Sequence, residues 1–358
     1  MEARCEISLS AIGKNYDFFK ERMAGGQVIP VVKADAYGHG AVEVTRYLHE
    51  HKGVKLFAVA TLGEAQELAH EFPEISLLIF TRVFRDELPD LPPNAILTVV
   101  SMEHARSLMG TGIPVHLNVN TGMNRLGLSS AEALSILSDK ASDLNVRGIY
   151  SHFSSSDTAS EKRYDLQRER FEIFVSKARE LGFDGLVHLS NSAALLHESH
   201  DRYDAMRLGI GLYGYDTFPG ADHQHMLSPA MEIKAPLMRL DRIHAGETVS
   251  YSERWEAIQD TTIGTLRIGY ADGYSRSLTN NASASLGGKV YPLIGTVTMD
   301  HIMIDLGDDQ PEPGTYFTVL GGELAGVRIA DVANRINTIP YEICCAVSKR
   351  VFRTYITD

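Results

Sequence analysis

Alternation between strand and helix constrains this chain more than any other feature. Short apolar, β-branched runs recur at 28–32, 54–60, 75–80, 95–100, 113–119, 146–150, 185–189 and 205–208. Helix-period stretches, such as 63–69 and 164–181, fill most of the gaps between them. Strands separated by helices pair in parallel through right-handed crossovers. Eight runs match the strand count of a (β/α)8 barrel. A doubly wound sheet alternates too, so the count favours the barrel without deciding it.

The pattern changes near Pro229. From there to about residue 319 no long helical period occurs, and strand-like runs at 263–268, 290–294 and 301–306 alternate with turn signals at Asp272-Gly273, Gly287-Gly288 and 311–314. A short helix is expected around 329–336. The Asp, Pro, Gly and His of 215–229 read as a linker, which places the domains at 1–225 and 226–358. The expected fold class is therefore α/β: an N-terminal (β/α)8 TIM-type barrel followed by a mostly β C-terminal domain.

A formal net charge of -12 over 358 residues argues against nucleic acid or an anionic membrane surface as the main partner. Cys5, Cys344 and Cys345 lack metal-ligand spacing, and no metal site is expected. That cysteine usage fits a reducing compartment. The start, Met1-Glu2-Ala3-Arg4-Cys5, lacks the basic-then-apolar order of a signal peptide, and no apolar run reaches membrane-spanning length. A cytoplasmic location is the expectation.

Two short motifs carry chemistry. In Val31-Val32-Lys33-Ala34-Asp35-Ala36-Tyr37-Gly38-His39-Gly40 a lysine ends an apolar run. A desolvated lysine loses its proton more readily and becomes a nucleophile toward aldehydes, as a Schiff-base enzyme requires. A lysine that snorkels its ammonium out of the strand end fits this segment equally well. The second motif, Gly209-Ile210-Gly211-Leu212-Tyr213-Gly214, spells the dinucleotide fingerprint G-x-G-x-x-G. That fingerprint needs a helix directly behind the glycines, and Tyr-Asp-Thr-Phe-Pro-Gly breaks one. A single phosphate fits better, since barrel phosphate sites recur after the seventh and eighth strands, where Ser192 and Gly209-Ile210 stand.

Taken together, the motifs resemble those of the alanine racemase family, two-domain enzymes dependent on pyridoxal phosphate. The resemblance rests on Val32 to Gly40 above, Asn120-Thr121-Gly122-Met123-Asn124-Arg125-Leu126-Gly127, Ser151-His152-Phe153 and His188-Leu189-Ser190-Asn191-Ser192-Ala193-Ala194. It continues through Met206-Arg207-Leu208-Gly209-Ile210-Gly211, Val249-Ser250-Tyr251, Ile268-Gly269-Tyr270-Ala271-Asp272-Gly273 and Thr298-Met299-Asp300. These blocks keep the family order across both domains.

The resemblance implies a role for each position. Lys33 would hold the cofactor covalently and move a proton on one face of the substrate α-carbon. Tyr251, from the β domain of a partner subunit, would be the base on the opposite face, so a homodimer is implied. An ordinary tyrosine, titrating near 10, is a poor base; His152 would help carry its proton. Arg207 would face the pyridine nitrogen, with His188 and His152 as neighbours, and keep it unprotonated, because a guanidinium does not readily give up a proton. That weakens the electron sink and suits proton exchange without side reactions. In isolation, Arg207 would read as a surface ion-pair residue and Tyr251 as a β-domain edge residue. Arg125 would contact the cofactor phenolic oxygen and the substrate carboxylate, which its planar fork of donors matches. Tyr37, Ser192, Gly209 and Ile210 would bind the phosphate, and Asn191 joins the cofactor contacts. The Met299 main chain would help hold the substrate carboxylate, and Tyr270, Asp157 and Arg276 would line an access corridor.

Four positions depart from the family pattern. Lys349 replaces a tyrosine that usually meets the phosphate and narrows the gate, so a phosphate salt bridge and a looser gate are one reading, and a solvent-facing lysine is the other. Asn118 stands where many relatives have a carbamylated lysine. Asp35 replaces an asparagine, and Thr296 an arginine. The implied activity is interconversion of L- and D-alanine, D-alanine being a peptidoglycan precursor. A serine or broad-specificity racemase is the nearest alternative, and a non-enzymatic pyridoxal-phosphate carrier is the alternative from another class.

Overall fold

The computed structural model describes residues 1–139, 141, 143–156, 161–197, 202–216 and 226–357. They form two compact units, one of Ile12–Ala36 and Ala41–Ser228, the other of Met1–Ala11, Tyr37–Gly40 and Pro229–Asp358.

The first unit carries eight strands: β2 (Gln27–Pro30), β3 (Leu56–Val59), β4 (Ser76–Ile79), β5 (Ala95–Val99), β6 (Pro114–Asn118), β7 (Asn145–Tyr150), β8 (Leu186–His188) and β9 (Ala205–Leu208). Their order in space is β2-β9-β8-β7-β6-β5-β4-β3, all parallel. Val31 bridges Ala58 in parallel, and the Val32 N–H donates to the Ala58 carbonyl at 2.9 Å, which closes the barrel. Every residue of β3 and β9 is buried, as expected of strands covered on both faces. The intervening helices show the complementary pattern. Leu62–Glu71 buries Ala65 and Leu68 and begins with a capping box between Thr61 and Glu64. The G-x-G-x-x-G segment itself forms a 3-10 turn, Ile210–Tyr213, closed by Gly214 at φ 90°, and no helix opens at Tyr215 or Asp216, the described residues that follow. A helix opening directly behind the glycines, which a dinucleotide needs, is absent among the described residues there.

The second unit is a sheet in the order β11-β14-β13-β12-β15-β10-β1-β16, with β10 also pairing β11. Its strands are β1 (Arg4–Ser8), β10 (Met231–Ile243), β11 (Thr261–Leu266), β12 (Ser283–Leu286), β13 (Lys289–Ile294), β14 (Ile302–Gly307), β15 (Tyr316–Gly321) and β16 (Phe352–Ile356). Val249, Ile263, Ile294 and Met303 form one core cluster, with Ile243 and Trp255 packed against it.

Two features depart from the sequence expectation. The N-terminal strand belongs to this β unit: β1 pairs antiparallel with β10 and parallel with β16, burying Cys5 and Ile7. Burial also raises the Cys5 thiol to about 12. The second is a further short helix, Pro340–Ala346, after the expected one at Ile329–Arg335. The stretch 217–225 of the expected linker lies outside the described residues.

Candidate active site

The barrel unit delivers Lys33, half-buried, two residues past the bridge at Val31. The chain then turns the wrong way for L-residues. Ala34, Asp35, Ala36 and Tyr37 all adopt left-handed angles, with φ between 52° and 54°. Such a conformation costs about 1–2 kcal/mol per residue, so about 4–8 kcal/mol over the four. Hydrogen bonds hold the turn: Ala36 N–H to the Val32 carbonyl at 2.9 Å, Ala41 N–H to Asp35 Oδ1 at 2.8 Å and Ala34 N–H to Glu64 Oε1 at 2.7 Å.

Inside the same unit, Arg207 on β9 is only 3% exposed, which sets aside its surface ion-pair reading. Its Nη1 donates to His188 Nδ1 at 2.8 Å, and its Nη2 donates to His152 Nδ1 at 3.0 Å. Carbonyls of Ser151, Leu189 and His188 accept from the same guanidinium at 2.7, 2.9 and 3.2 Å. These acceptors offset the cost of burying the charge. His188 Nε2 lies 2.9 Å from His116 Nδ1.

An arginine can only donate, which fixes the tautomers. His188 and His152 each accept at Nδ1 and so carry their proton at Nε2. His188 then donates to His116, whose proton is also on Nε2. Burial above all, then the nearby cations, keeps these rings neutral. His116 is lowered to about 3 by burial and by Arg207. His152 is lowered to about 3 by burial and then by Arg207, Arg125 and Lys33. His188 is lowered well below its ordinary value by burial, Arg207 and His116.

At the ends of β8 and β9, Ser192 Oγ accepts from the Gly209 and Gly211 N–H groups, both at 3.1 Å. With its oxygen so occupied, the hydroxyl can turn its hydrogen outward as a donor. Gly211 must lack a side chain, because a Cβ would lie 2.6 Å from the Phe19 ring. Asn191 exchanges hydrogen bonds with Ser156 at 2.9 and 3.0 Å. Arg125 is exposed on the loop after β6. Asn120 Oδ1 shapes that loop by accepting from the Gly122 and Asn124 N–H groups, both at 3.1 Å.

The β unit gathers a second group. Tyr251 is 70% exposed, in a turn with positive φ at Ser250, Ser252 and Glu253. Thr296, 2% exposed, donates its hydroxyl to the Tyr251 carbonyl at 2.8 Å and accepts at its own carbonyl from Ser250 Oγ at 2.8 Å. Met299 is 53% exposed, and its carbonyl accepts from the Ala271 N–H at 3.1 Å, beside exposed Tyr270. Arg350 bonds Asp272 at 3.2 Å and Asp300 at 2.7 Å, and so ties the Ser348-Lys349-Arg350 turn to the Tyr270 and Met299 loops. Lys349 itself is exposed, as is Arg276. Tyr37 is buried, its ring 5.7 Å from that of Tyr341. Asp157 lies outside the described residues.

The model of the alanine racemase N-terminal domain matches residues 7–217, and that of the alanine racemase C-terminal domain matches residues 230–355. The chain belongs to the alanine racemase family. It is 37% identical to the alanine racemase of Geobacter sulfurreducens and 34% identical to that of Cutibacterium acnes, in each case over 98% of this chain and 96% of the relative. Among solved structures, it is similar to alanine racemase from E. faecalis, with a TM-score of 0.91 and 30% identity over 99% of this chain and 98% of that one. It is also similar to alanine racemase from Bartonella henselae with covalently bound pyridoxal phosphate, with a TM-score of 0.89 and 27% identity over 99% of this chain and all of that one.

In this member of the alanine racemase family, two further buried residues, His116 and Gln167, bond to the site residues without a motif of their own to mark them. His116 extends the Arg207 network, and a glycine marks its place: a Cβ at Gly148 on β7 would lie 2.6 Å from the His116 ring. An isolated glycine inside a strand is the signal for such a close approach. Buried Gln167 accepts from the Ser154 N–H at 2.9 Å and donates to the His152 carbonyl at 3.0 Å and to Thr121 Oγ1 at 3.3 Å. It joins the loops that carry His152 and Arg125, and nothing in its own segment announces this.

Proposed function

We propose that this protein is a pyridoxal-phosphate-dependent alanine racemase, acting as a homodimer by a two-base mechanism. The carrying observation is the buried Arg207 bonded to two neutral imidazoles, His188 and His152. A guanidinium that cannot release a proton suits an unprotonated pyridine nitrogen. The donor set fits the cofactor at the phosphate too, where Ser192, its oxygen already accepting two N–H bonds, must donate. Gly209, Ile210, Tyr37, Asn191 and Lys349 are the further cofactor contacts of this reading. The Gly209 N–H acts there through Ser192.

When bound, the cofactor supplies an electron sink that acidifies the substrate α-carbon. Lys33 is the base on one face and Tyr251 of a second copy the base on the other. His152, a donor at Nε2, stabilises the deprotonated tyrosine oxygen. Arg125 and the Met299 main chain orient the substrate carboxylate. No helix among the described residues is long and apolar enough to cross a membrane, and a cytoplasmic site of action fits this reading.

Chiral chromatography of the purified protein with pyridoxal phosphate and single L-amino acids tests it. D-alanine as the dominant product is the expected result. Dominant D-serine would favour the broader racemase, which the lysine at 349 in place of a gate tyrosine motivates. Cofactor binding without any enantiomer exchange would overturn the enzyme reading in favour of a carrier.

A further inference from the structure

Four consecutive L-residues in the left-handed region need support from outside their own segment. None of Ala34, Asp35, Ala36 and Tyr37 is a glycine, and only Asp35 is a residue type that tolerates those angles. Ties from Ala36 to Val32 and from Ala41 to Asp35 are local. The third reaches in from another element. Glu64 Oε1 accepts from the Ala34 N–H at 2.7 Å, immediately after Lys33.

The other oxygen of this carboxylate is anchored. Glu64 Oε2 accepts from the Ala60 N–H at 2.7 Å and the Thr61 N–H at 3.1 Å, while the Glu64 N–H donates to Thr61 Oγ1 at 3.3 Å. One side chain thus caps the helix Leu62–Glu71 and pins the start of the turn. Three backbone donors meet one carboxylate, an arrangement that requires two acceptor oxygens. We propose that Glu64 is a positioning residue that holds Lys33 in place for attachment of the cofactor. The proposal rests on the reading of Lys33 given above.

Glu64→Gln offers one oxygen for two jobs, and its amide nitrogen faces a backbone N–H at the other. Glu64→Asp keeps the charge but is one methylene too short to reach both sites. Thr61→Ala weakens the helix cap alone and leaves Ala34 untouched. Three readouts separate these roles in the full-length protein: hydrogen exchange at the Ala34 amide, the rate at which apo-protein captures pyridoxal phosphate as a visible-absorbing lysine adduct, and kcat against KM.

In whichever Glu64 variant folds, Ala34 exchange should speed up and adduct formation slow on the order of tenfold, the effect of one charge-assisted hydrogen bond. kcat should fall with little change in KM. Thr61→Ala should lower the melting temperature and leave all three readouts at wild-type values. Equal effects from Thr61→Ala and the Glu64 variants would reduce Glu64 to a helix cap and overturn the proposal. So would a Glu64 variant with wild-type exchange and capture. If wild-type protein itself forms no lysine adduct, the reading of Lys33 fails separately, and Ala34 exchange still decides the Glu64 contact.

Discussion

Replacing His116 with glutamine should make the protein more resistant to acid. His116 is lowered from 6.5 to about 3 by burial and by Arg207, so in the folded state it stays neutral while the unfolded chain takes up a proton. A histidine so depressed contributes stability fully above its unfolded value of 6.5 and loses it as pH falls toward 3. At pH 5 the loss is about 2 kcal/mol, from about 1.5 units at about 1.36 kcal/mol each. Glutamine Oε1 can still accept from His188 Nε2, so the hydrogen bond survives and the titration does not. Denaturant midpoints, measured at fixed cofactor concentration between pH 7.5 and 5, check this. His116→Gln should gain about 2 kcal/mol relative to the wild type across that range, whatever its offset at neutral pH. Parallel curves for the two proteins would refute the neutral-histidine network. His152, also lowered to about 3, adds a second loss of the same sign.

Thr296→Val removes the hydroxyl that donates to the Tyr251 carbonyl, and kcat should fall about 2- to 10-fold, the value of one such hydrogen bond; stopped-time chiral assays read it. Tyr251→Phe should stop interconversion of the enantiomers while Lys33 still exchanges the α-proton of one of them with deuterated solvent, as mass spectrometry would show. Exchange of both enantiomers would remove Tyr251 from its role. Lys349→Tyr should weaken pyridoxal phosphate binding or narrow the substrate range, and unchanged cofactor affinity together with unchanged preference would remove Lys349 from the site. Gly38→Ala places a Cβ 2.2 Å from the Cys344 carbonyl at φ 82°, and thermal melts should show a loss of at least about 2 kcal/mol.

The barrel was legible because strands covered on both faces read as unbroken apolar runs: β3 is Leu-Phe-Ala-Val and β4 is Ser-Leu-Leu-Ile. The β unit was legible only in part. Charges at Lys234, Arg239, Asp241 and Arg242, with Pro236 between them, hide the thirteen residues of β10, whose register shifts at Ile233/Lys234 against β15 and at Leu237/Arg239 against β11. β1 sits more than two hundred residues from β10 and more than three hundred from β16, the strands it pairs with, and sequence adjacency placed it with the barrel. At the site, the family resemblance pointed to Lys33, Arg125 and Arg207, whereas residue type alone left Lys33 open and read Arg207 as a surface ion-pair residue. The left-handed turn went unannounced, since Ala, Asp, Ala and Tyr carry no strong preference for it. His116 meets His188 across 72 residues and Gln167 meets Thr121 across 46, contacts that only the closed barrel creates.

The two-base mechanism asks a tyrosine to act as a base, and the direction of the donors in that barrel decides what His152 can offer it. Every bond of the chain runs outward from Arg207, one branch through His188 to His116 and the other to His152. The guanidinium allows no reversal, so His152 presents N–H, not a lone pair, at its far end. It therefore does not act by abstracting the tyrosine proton. In the two-base mechanism proposed above its part is to donate, and burial with the cations Arg207, Arg125 and Lys33 keeps it neutral for that. Acidification to about pH 3 would protonate folded His152 at Nδ1 and break its bond to Arg207. Stability, in contrast, already declines below 6.5 as the unfolded chain takes up the proton, so the stability loss should precede any loss of activity through His152.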